Sequence, residues 1–275
     1  MNLYSVVMLD LDGTLLDSDS QISPNTKKLL NRLEKRGVPV VLCTSGPPSG
    51  AITAARQCGL TSPIVCYDGS LILDENQGIL ADTGIDGGAA LRLKQCAAAE
   101  FPDVAVISCL YGVWLTDNVR NPDVVAFGER RGQETLEGAL ENALRPNGHA
   151  HKMIAVGKPL RLKDFQNWAV PLFPSLSVLA SGAACLDITA AGVSKGAAME
   201  TIQRYYNVTA ERIVAAGDYF SDMEMLRRAG LGIAMGNAPE AVRRSAARVT
   251  ASNDEEGVYI ALKNLRFCPP ERRSP

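Results

Sequence analysis

No apolar run in this chain is long enough to cross a bilayer, which argues against a membrane-spanning protein. There is no excess of charge of one sign. The formal net charge is −2, and that near-balance argues against a nucleic-acid-binding surface or a membrane-binding face. The seven cysteines are odd in number and scattered, with no C-x-x-C pair, so a disulfide framework is not expected. A reducing, cytoplasmic setting suits them. Cys43, Cys66 and Cys185 sit in apolar, strand-like runs and read as small core residues. The start lacks the basic segment and apolar stretch of a secretory leader, so none is expected. No glycine-rich fingerprint follows the first strand, which removes a dinucleotide-binding oxidoreductase. Repeats and low-complexity tracts are absent, and the basic Arg272-Arg273 run reads as a loose tail.

What is present is alternation. Val6-Val7-Met8-Leu9 is a continuous apolar run, the mark of a strand buried on both faces. Ser23-Pro24 supplies a helix cap and a first-turn proline. Leu29, Leu30 and Leu33 form an apolar stripe, and Gly37 ends that helix. Strands over 38–43 and 64–67 flank a helix over 51–58. The last third repeats the pattern, with helices over 194–206, 221–228, 239–246 and 255–265 and strands over 213–216 and 231–234. Such alternation predicts an α/β fold with a Rossmann-like parallel sheet and helices on both faces. The middle is less regular and richer in Gly, Pro and Asn. It reads as helices over 88–101, 133–144 and 160–170 and strands over 104–108, 153–156 and 176–180, with a short one near Val113. The expected organisation is a core of residues 1–82 and 184–275 and an inserted α+β domain of residues 83–183.

Four segments carry chemistry. Asp10-Leu11-Asp12-Gly13-Thr14-Leu15 follows the first buried strand, where open α/β sheets bind ligands. If the chain stays extended, the two-residue spacing turns Asp10 and Asp12 to one side. Carboxylates that close repel one another; a hard cation such as Mg²⁺ resolves the conflict. Gly217-Asp218-Tyr219-Phe220-Ser221-Asp222 places further carboxylates at a second strand end. Ser221 is either part of that site or only a cap, since Ser221-x-x-Glu224 has the form of a capping box. Lys195 opens a helix, where partial positive charge already gathers. It is either a solvated lysine or the counter-charge of a phosphate pocket. Thr44-Ser45-Gly46 ends the second strand, as a polar turn or as a holder of a phosphoryl oxygen.

Together these segments resemble the haloacid dehalogenase-like phosphohydrolase superfamily, and their order, spacing and inserted domain resemble its Cof-like branch of sugar-phosphate phosphatases. Tyr67-Asp68-Gly69-Ser70 stands where that branch has Asn-Gly-Ala. Met235-Gly236-Asn237-Ala238 and Ser252-Asn253-Asp254-Glu255-Glu256-Gly257-Val258 match its later signatures. The resemblance implies that Asp10 is the nucleophile, and that Asp12 is the general acid/base and lends its backbone carbonyl to Mg²⁺. It implies phosphate binding by Thr44 and Lys195, with Lys195 also steadying the nucleophile, and the amide at Ser45 is expected to bind phosphate beside them. Asp218 matches the second metal carboxylate and Asp222 an outer or indirect one, with Ser221 and Asn237 in support. The branch has Thr-Gly-Arg where this chain has Thr44-Ser45-Gly46, so an arginine is missing; Ser221 and Asp68 each replace an Asn.

The activity implied is Mg²⁺-dependent hydrolysis of a small phosphate ester, a sugar phosphate or similar, through a phosphoaspartyl intermediate. Nucleic-acid and membrane partners are not expected; the protein is expected to be a monomer or homodimer. The inserted domain is expected to act as a cap that sets specificity, with Trp114, His149, His151 and Lys152 as candidate contacts. His149-x-His151 has two metal-ligand types but no third in view, so it reads as a polar loop. The alternatives are a phosphomutase on the same scaffold and a non-catalytic binder that kept the fold.

Overall fold

The structure is a computed structural model that describes residues 3–145 and 148–270; the Arg272-Arg273 run lies outside the described residues. The chain divides into two compact units, Met1–Ala81 with Ser194–Pro275, and Asp82–Val193.

The first unit starts with β1 (Val6–Asp10), buried at every residue. It continues through α1 (Pro24–Lys35), β2 (Val40–Cys43), α2 (Pro48–Cys58), β3 (Ile64–Cys66), β4 (Leu71–Leu73) and β5 (Ile79–Asp82). After the second unit it resumes with α7 (Lys195–Tyr206), β14 (Ile213–Gly217), α8 (Met223–Arg228), β15 (Leu231–Ala234), α9 (Glu240–Ser245), β16 (Arg248–Val249) and α10 (Gly257–Leu262). The sheet order is β16-β15-β14-β1-β2-β3-β4-β5. Strand β1 runs parallel to both neighbours, with Leu9 opposite Ala216 and Asp10 opposite Cys43. Chain order reverses between β1 and β14, so their carboxyl ends flank a topological switch point.

Both faces of β1 are covered. Val6 and Met8 pack with Ala198, Met199, Ile202 and Met225 of α7 and α8. Val7 and Leu9, which point the other way, are equally inaccessible, and α1 packs against both α2 and α10. The Ser23 hydroxyl accepts from Thr26 N–H at 3.1 Å and starts α1 one residue before its proline. α7 begins in the same way: the Ser194 hydroxyl accepts from Ala197 N–H at 2.9 Å, which makes Lys195 the first helical residue.

The second unit holds β6 (Ile85–Asp86), α3 (Gly87–Glu100), β7 (Ala105–Leu110), β8 (Val113–Thr116), α4 (Pro122–Arg131), β9 (Thr135–Glu137), α5 (Leu140–Ala143), β10 (His149–Ala150), β11 (Lys152–Val156), α6 (Pro159–Leu172), β12 (Leu176–Gly182) and β13 (Cys185–Ala190). Six of its strands form a sheet ordered β12-β13-β11-β7-β8-β9. Leu93, Phe101, Met153, Phe165 and Ile188 meet in its core.

Two expectations are corrected here. Residues 185–190 do not belong to the first unit: they form β13, antiparallel to both β11 and β12, and the chain re-enters the first unit only at Ser194. Residues 133–144 do not form one helix. The helix lies earlier, started by the Asn121 side chain accepting from Asp123 N–H at 2.9 Å and stopped by Gly132 at φ +58°.

Candidate active site

Asp10 ends β1 and Asp218 follows the last residue of the adjacent parallel strand β14. Lys195, at the head of α7, donates to Asp10 Oδ1 at 2.5 Å and to Asp222 Oδ1 at 2.7 Å. Lys195 is 1% exposed, Asp222 0% and Asp10 5%, so this ammonium is no solvated surface charge. Asp222 also accepts from the backbone N–H of Asp218 at 3.0 Å and of Tyr219 at 2.9 Å, which folds the 218–222 turn around it. Carboxylate oxygens of Asp10, Asp218 and Asp222 all lie within 4.8 Å of one another.

The electrostatics follow from that crowding. Burial, then the nearby Asp222 charge, pushes the Asp10 carboxyl well above its ordinary value, although Lys195 pulls it down. The Asp218 carboxyl rises to about 6, mainly through burial and then Asp222. Burial works against the Lys195 charge, yet Asp10 and Asp222 hold the ammonium firmly protonated. One cation thus faces three carboxylates, and the uncompensated negative charge suits a hard divalent cation with oxygen ligands.

The structure brings Asp10, Lys195, Asp218 and Asp222 together, and places Asp12 differently from the extended-chain expectation. The strand ends at Asp10, and Leu11 O accepts from Leu15 N–H at 3.0 Å and Leu16 N–H at 2.9 Å. This turn leaves the Asp12 side chain exposed and outside the three-carboxylate group. Gly13 (φ +77°) is required next to it, because a Cβ there would stand 2.5 Å from Asp218 Oδ2. Thr44 is buried at the end of β2, its hydroxyl accepting from Gly46 N–H at 2.9 Å, with Ser45 half-buried beside it. The Ser221–Glu224 capping box is not formed; Glu224 accepts instead from the Ser194 hydroxyl at 2.5 Å. Asn237 donates to Gly13 O at 2.9 Å and to Asp218 Oδ2 at 3.3 Å. Sequence reasoning assigned nothing to Thr14, which donates to Asp218 Oδ1 at 3.0 Å. Its place inside the Asp10–Leu15 string was the available signal.

In the second unit the third partner of the two histidines is Asp82. Its Oδ1 lies 2.6 Å from His149 Nε2 and 2.9 Å from His151 Nε2, and its Oδ2 accepts from the Tyr111 hydroxyl at 3.0 Å. Tyr111 N–H donates to His151 Nδ1 at 3.0 Å, so the neutral ring carries its hydrogen on Nε2 and donates it to Asp82. A metal on that Nε2 would force a hydrogen onto Nδ1, where the Tyr111 N–H already points, so His151 Nε2 acts here as a hydrogen-bond donor. Trp114 and Lys152 are buried, Trp114 stacked on Phe127 and Lys152 paired with Asp187 at 2.5 Å. Among the described residues no helix is long and apolar enough to cross a membrane.

Comparison with known proteins gives a consistent picture. The haloacid dehalogenase-like hydrolase family matches this chain over residues 7–262. The 5-amino-6-(5-phospho-D-ribitylamino)uracil phosphatase YitU of Bacillus subtilis is 30% identical, over 94% of this chain and 96% of the relative. A second B. subtilis phosphatase named for the same substrate, YcsE, is 25% identical over 94% of each chain. A solved haloacid dehalogenase-like hydrolase from Bacteroides thetaiotaomicron superposes with a TM-score of 0.85 at 25% identity, over 94% of this chain and 98% of that one.

Proposed function

The chain belongs to the haloacid dehalogenase-like hydrolase family and is a phosphoric monoester hydrolase, and from that premise we propose a magnesium-dependent phosphatase that works through an aspartyl-phosphate on Asp10. The observation that carries this reading is the buried Lys195 ammonium held between Asp10 and Asp222, with Asp218 alongside. Asp10 and Asp218, with the Asp12 backbone carbonyl, would hold Mg²⁺, and Asp222 would support them. The cation supplies positive charge to the phosphoryl oxygens.

Asp10 attacks phosphorus, and the bond from phosphorus to the ester oxygen breaks. Asp12, exposed on the turn after the nucleophile, hands a proton to the departing alkoxide. It then takes a proton from the water that attacks the acyl phosphate, which frees Asp10 and inorganic phosphate. Lys195 meets charge developing on the transferring group, and the Thr44 hydroxyl and Ser45 amide bind its oxygens. The unit 82–193 acts as the specificity-setting cap. The substrate is a small phosphate ester, a sugar phosphate or similar; YitU and YcsE are named for a phosphorylated ribitylaminouracil.

The test is phosphate release from a panel of sugar and polyol phosphates, with Mg²⁺ and with chelator, for wild type and Asp10→Asn. Cation-dependent release that the substitution abolishes is expected; an active Asp10→Asn enzyme would sink the assignment.

A further inference from the structure

The signature Ser252-Asn253-Asp254-Glu255-Glu256-Gly257 plays no part in the chemistry above, yet each residue in it has a structural task. Ser252 N–H and hydroxyl both donate to Glu255 Oε2, at 3.2 and 2.8 Å, which closes a tight turn. Gly257 lets the chain pass where a Cβ would stand 2.2 Å from Ala251 O. Ser252, Glu255 and Gly257 therefore shape the turn, and the other three side chains project from it.

Two of them reach the segment that follows the nucleophile, and the third reaches α1. Asn253 Nδ2 donates to Leu16 O at 3.0 Å, and Asp254 accepts from both Ser18 N–H and the Ser18 hydroxyl at 2.8 Å each. Glu256 accepts from Asn25 at 3.1 Å. Asn253 N–H also donates to Asn237 Oδ1 at 3.1 Å, and Asn237 in turn holds Gly13 O. Leu16 is thus fixed from both ends, its N–H on Leu11 O and its own carbonyl on Asn253.

Asp12 sits inside this pinned stretch, between Leu11 and Gly13. Its side chain is exposed, outside the buried carboxylate cluster that fixes Asp10. Its position is inherited from the backbone on either side, and that backbone is held at Gly13, Leu16 and Ser18 by the residues just described.

We infer that Asn253 and Asp254 are positioning residues for Asp12, clamping the turn after the nucleophile so that the proton donor meets the departing oxygen. This rests on the reading of Asp12 as general acid. Proton donation is needed most when the leaving group is a poor one. An alkoxide must be protonated as it departs, whereas 4-nitrophenolate leaves readily unprotonated. Asp12 also assists the later attack of water, a step common to every ester, so the two roles separate in kcat/KM, which reports only the transfer to Asp10: there a misplaced donor slows alkyl esters selectively, while a general loosening of the fold slows both alike. Asp254 is exposed, so its replacement should leave the fold intact.

The experiment measures kcat and KM with Mg²⁺ on 4-nitrophenyl phosphate and on three alkyl esters (glucose 6-phosphate, ribose 5-phosphate and glycerol 3-phosphate). It uses wild type, Asp254→Ala, Asn253→Ala, Asp254→Asn and Asp12→Asn. Since a positioned acid is worth ~10²–10⁴-fold, a loosened one should cost Asp254→Ala and Asn253→Ala ~10-fold in kcat/KM on the alkyl esters. The cost in kcat/KM on the aryl ester should be under ~2-fold. Asp254→Asn should recover most of the loss, because its amide still accepts from Ser18 N–H and donates to the hydroxyl. Equal losses in kcat/KM on both ester classes overturn the inference. So does an Asp254→Ala enzyme of full alkyl activity when Asp12→Asn is alkyl-selective, and in that case the phosphatase reading survives. Wild type that releases phosphate from none of the esters defeats the phosphatase reading and this inference together.

Discussion

Replacing Lys195 by methionine tests the electrostatic account of the site most directly. The side chain fills nearly the same volume, so packing changes little, but the ammonium 2.5 Å from Asp10 and 2.7 Å from Asp222 disappears. Breaking a buried ion pair by removing one partner costs ~3–5 kcal/mol, because it strands the other charge. Here two carboxylates are stranded, with Asp218 close by. The cost has an escape: one carboxylate can take up a proton. Each pH unit by which the stranded group's pKa exceeds the ambient pH recovers ~1.4 kcal/mol. The expected result is a fall in Tm of roughly 6–20 °C at pH 8, taking ~2–4 °C per kcal/mol for a unit of this size. The fall should be clearly smaller at pH 5.5. Turnover should drop by at least ~10²-fold, the cost of losing a preorganised charge at the transferring group. Thermal unfolding in chelator at the two pH values is the assay. Equal destabilisation at both, or none at either, would refute the argument that Lys195 neutralises buried carboxylates.

Three further outcomes follow from the same geometry. Gly13→Ala should abolish Mg²⁺-dependent turnover while costing only ~1–3 kcal/mol of backbone strain, because its Cβ would displace Asp218; steady-state rates and denaturant unfolding on one preparation separate the two effects. Mg²⁺ affinity should weaken as pH falls through about 6, where the raised Asp218 carboxyl takes up a proton; calorimetric titration at pH 7.5 and 5 should show a weaker constant at pH 5. In the second unit, burial lowers the His151 pKa from 6.5. The folded state then binds fewer protons than the unfolded one below that pH, and stability should decline there by up to ~1.4 kcal/mol per unit. Denaturant midpoints between pH 7.5 and 5.5 measure that slope, and His151→Asn should flatten it.

Residues whose roles are local were legible in the sequence. Val6–Leu9 announced a strand buried on both faces, and Ser194-Lys195 announced a helix start with a cation on it. The Asp10 and Asp218 strings stood at strand ends where ligands bind. What the sequence hid depends on partners distant along the chain. Gly182-Ala183-Ala184 looks like an exit from the inserted segment but is the turn of a hairpin, because Leu186 and Ile188 complete the core of the second unit. Asp82 stands far in sequence from His149 and His151, and no local pattern joins them. Asp12 lies where alternation no longer applies, because the bonds to Leu11 O end the strand before it. The helix lies over Pro122–Arg131 and not over 133–144, because Asn121-Pro122 starts it and Gly132 stops it.

The sheet order also constrains how the protein can be made. Strand β1 is completed on one side by β2, a near neighbour in sequence, but on the other only by β14, which emerges after the whole Asp82–Val193 segment. On a ribosome the first half of this sheet must therefore persist with an apolar edge, Val6 to Leu9, exposed until Ile213 arrives. The intervening segment is continuous in sequence and can complete its own core in the meantime. That shortens the effective loop the sheet must later close. Nascent chains truncated before β14 should accordingly be the form most in need of a chaperone.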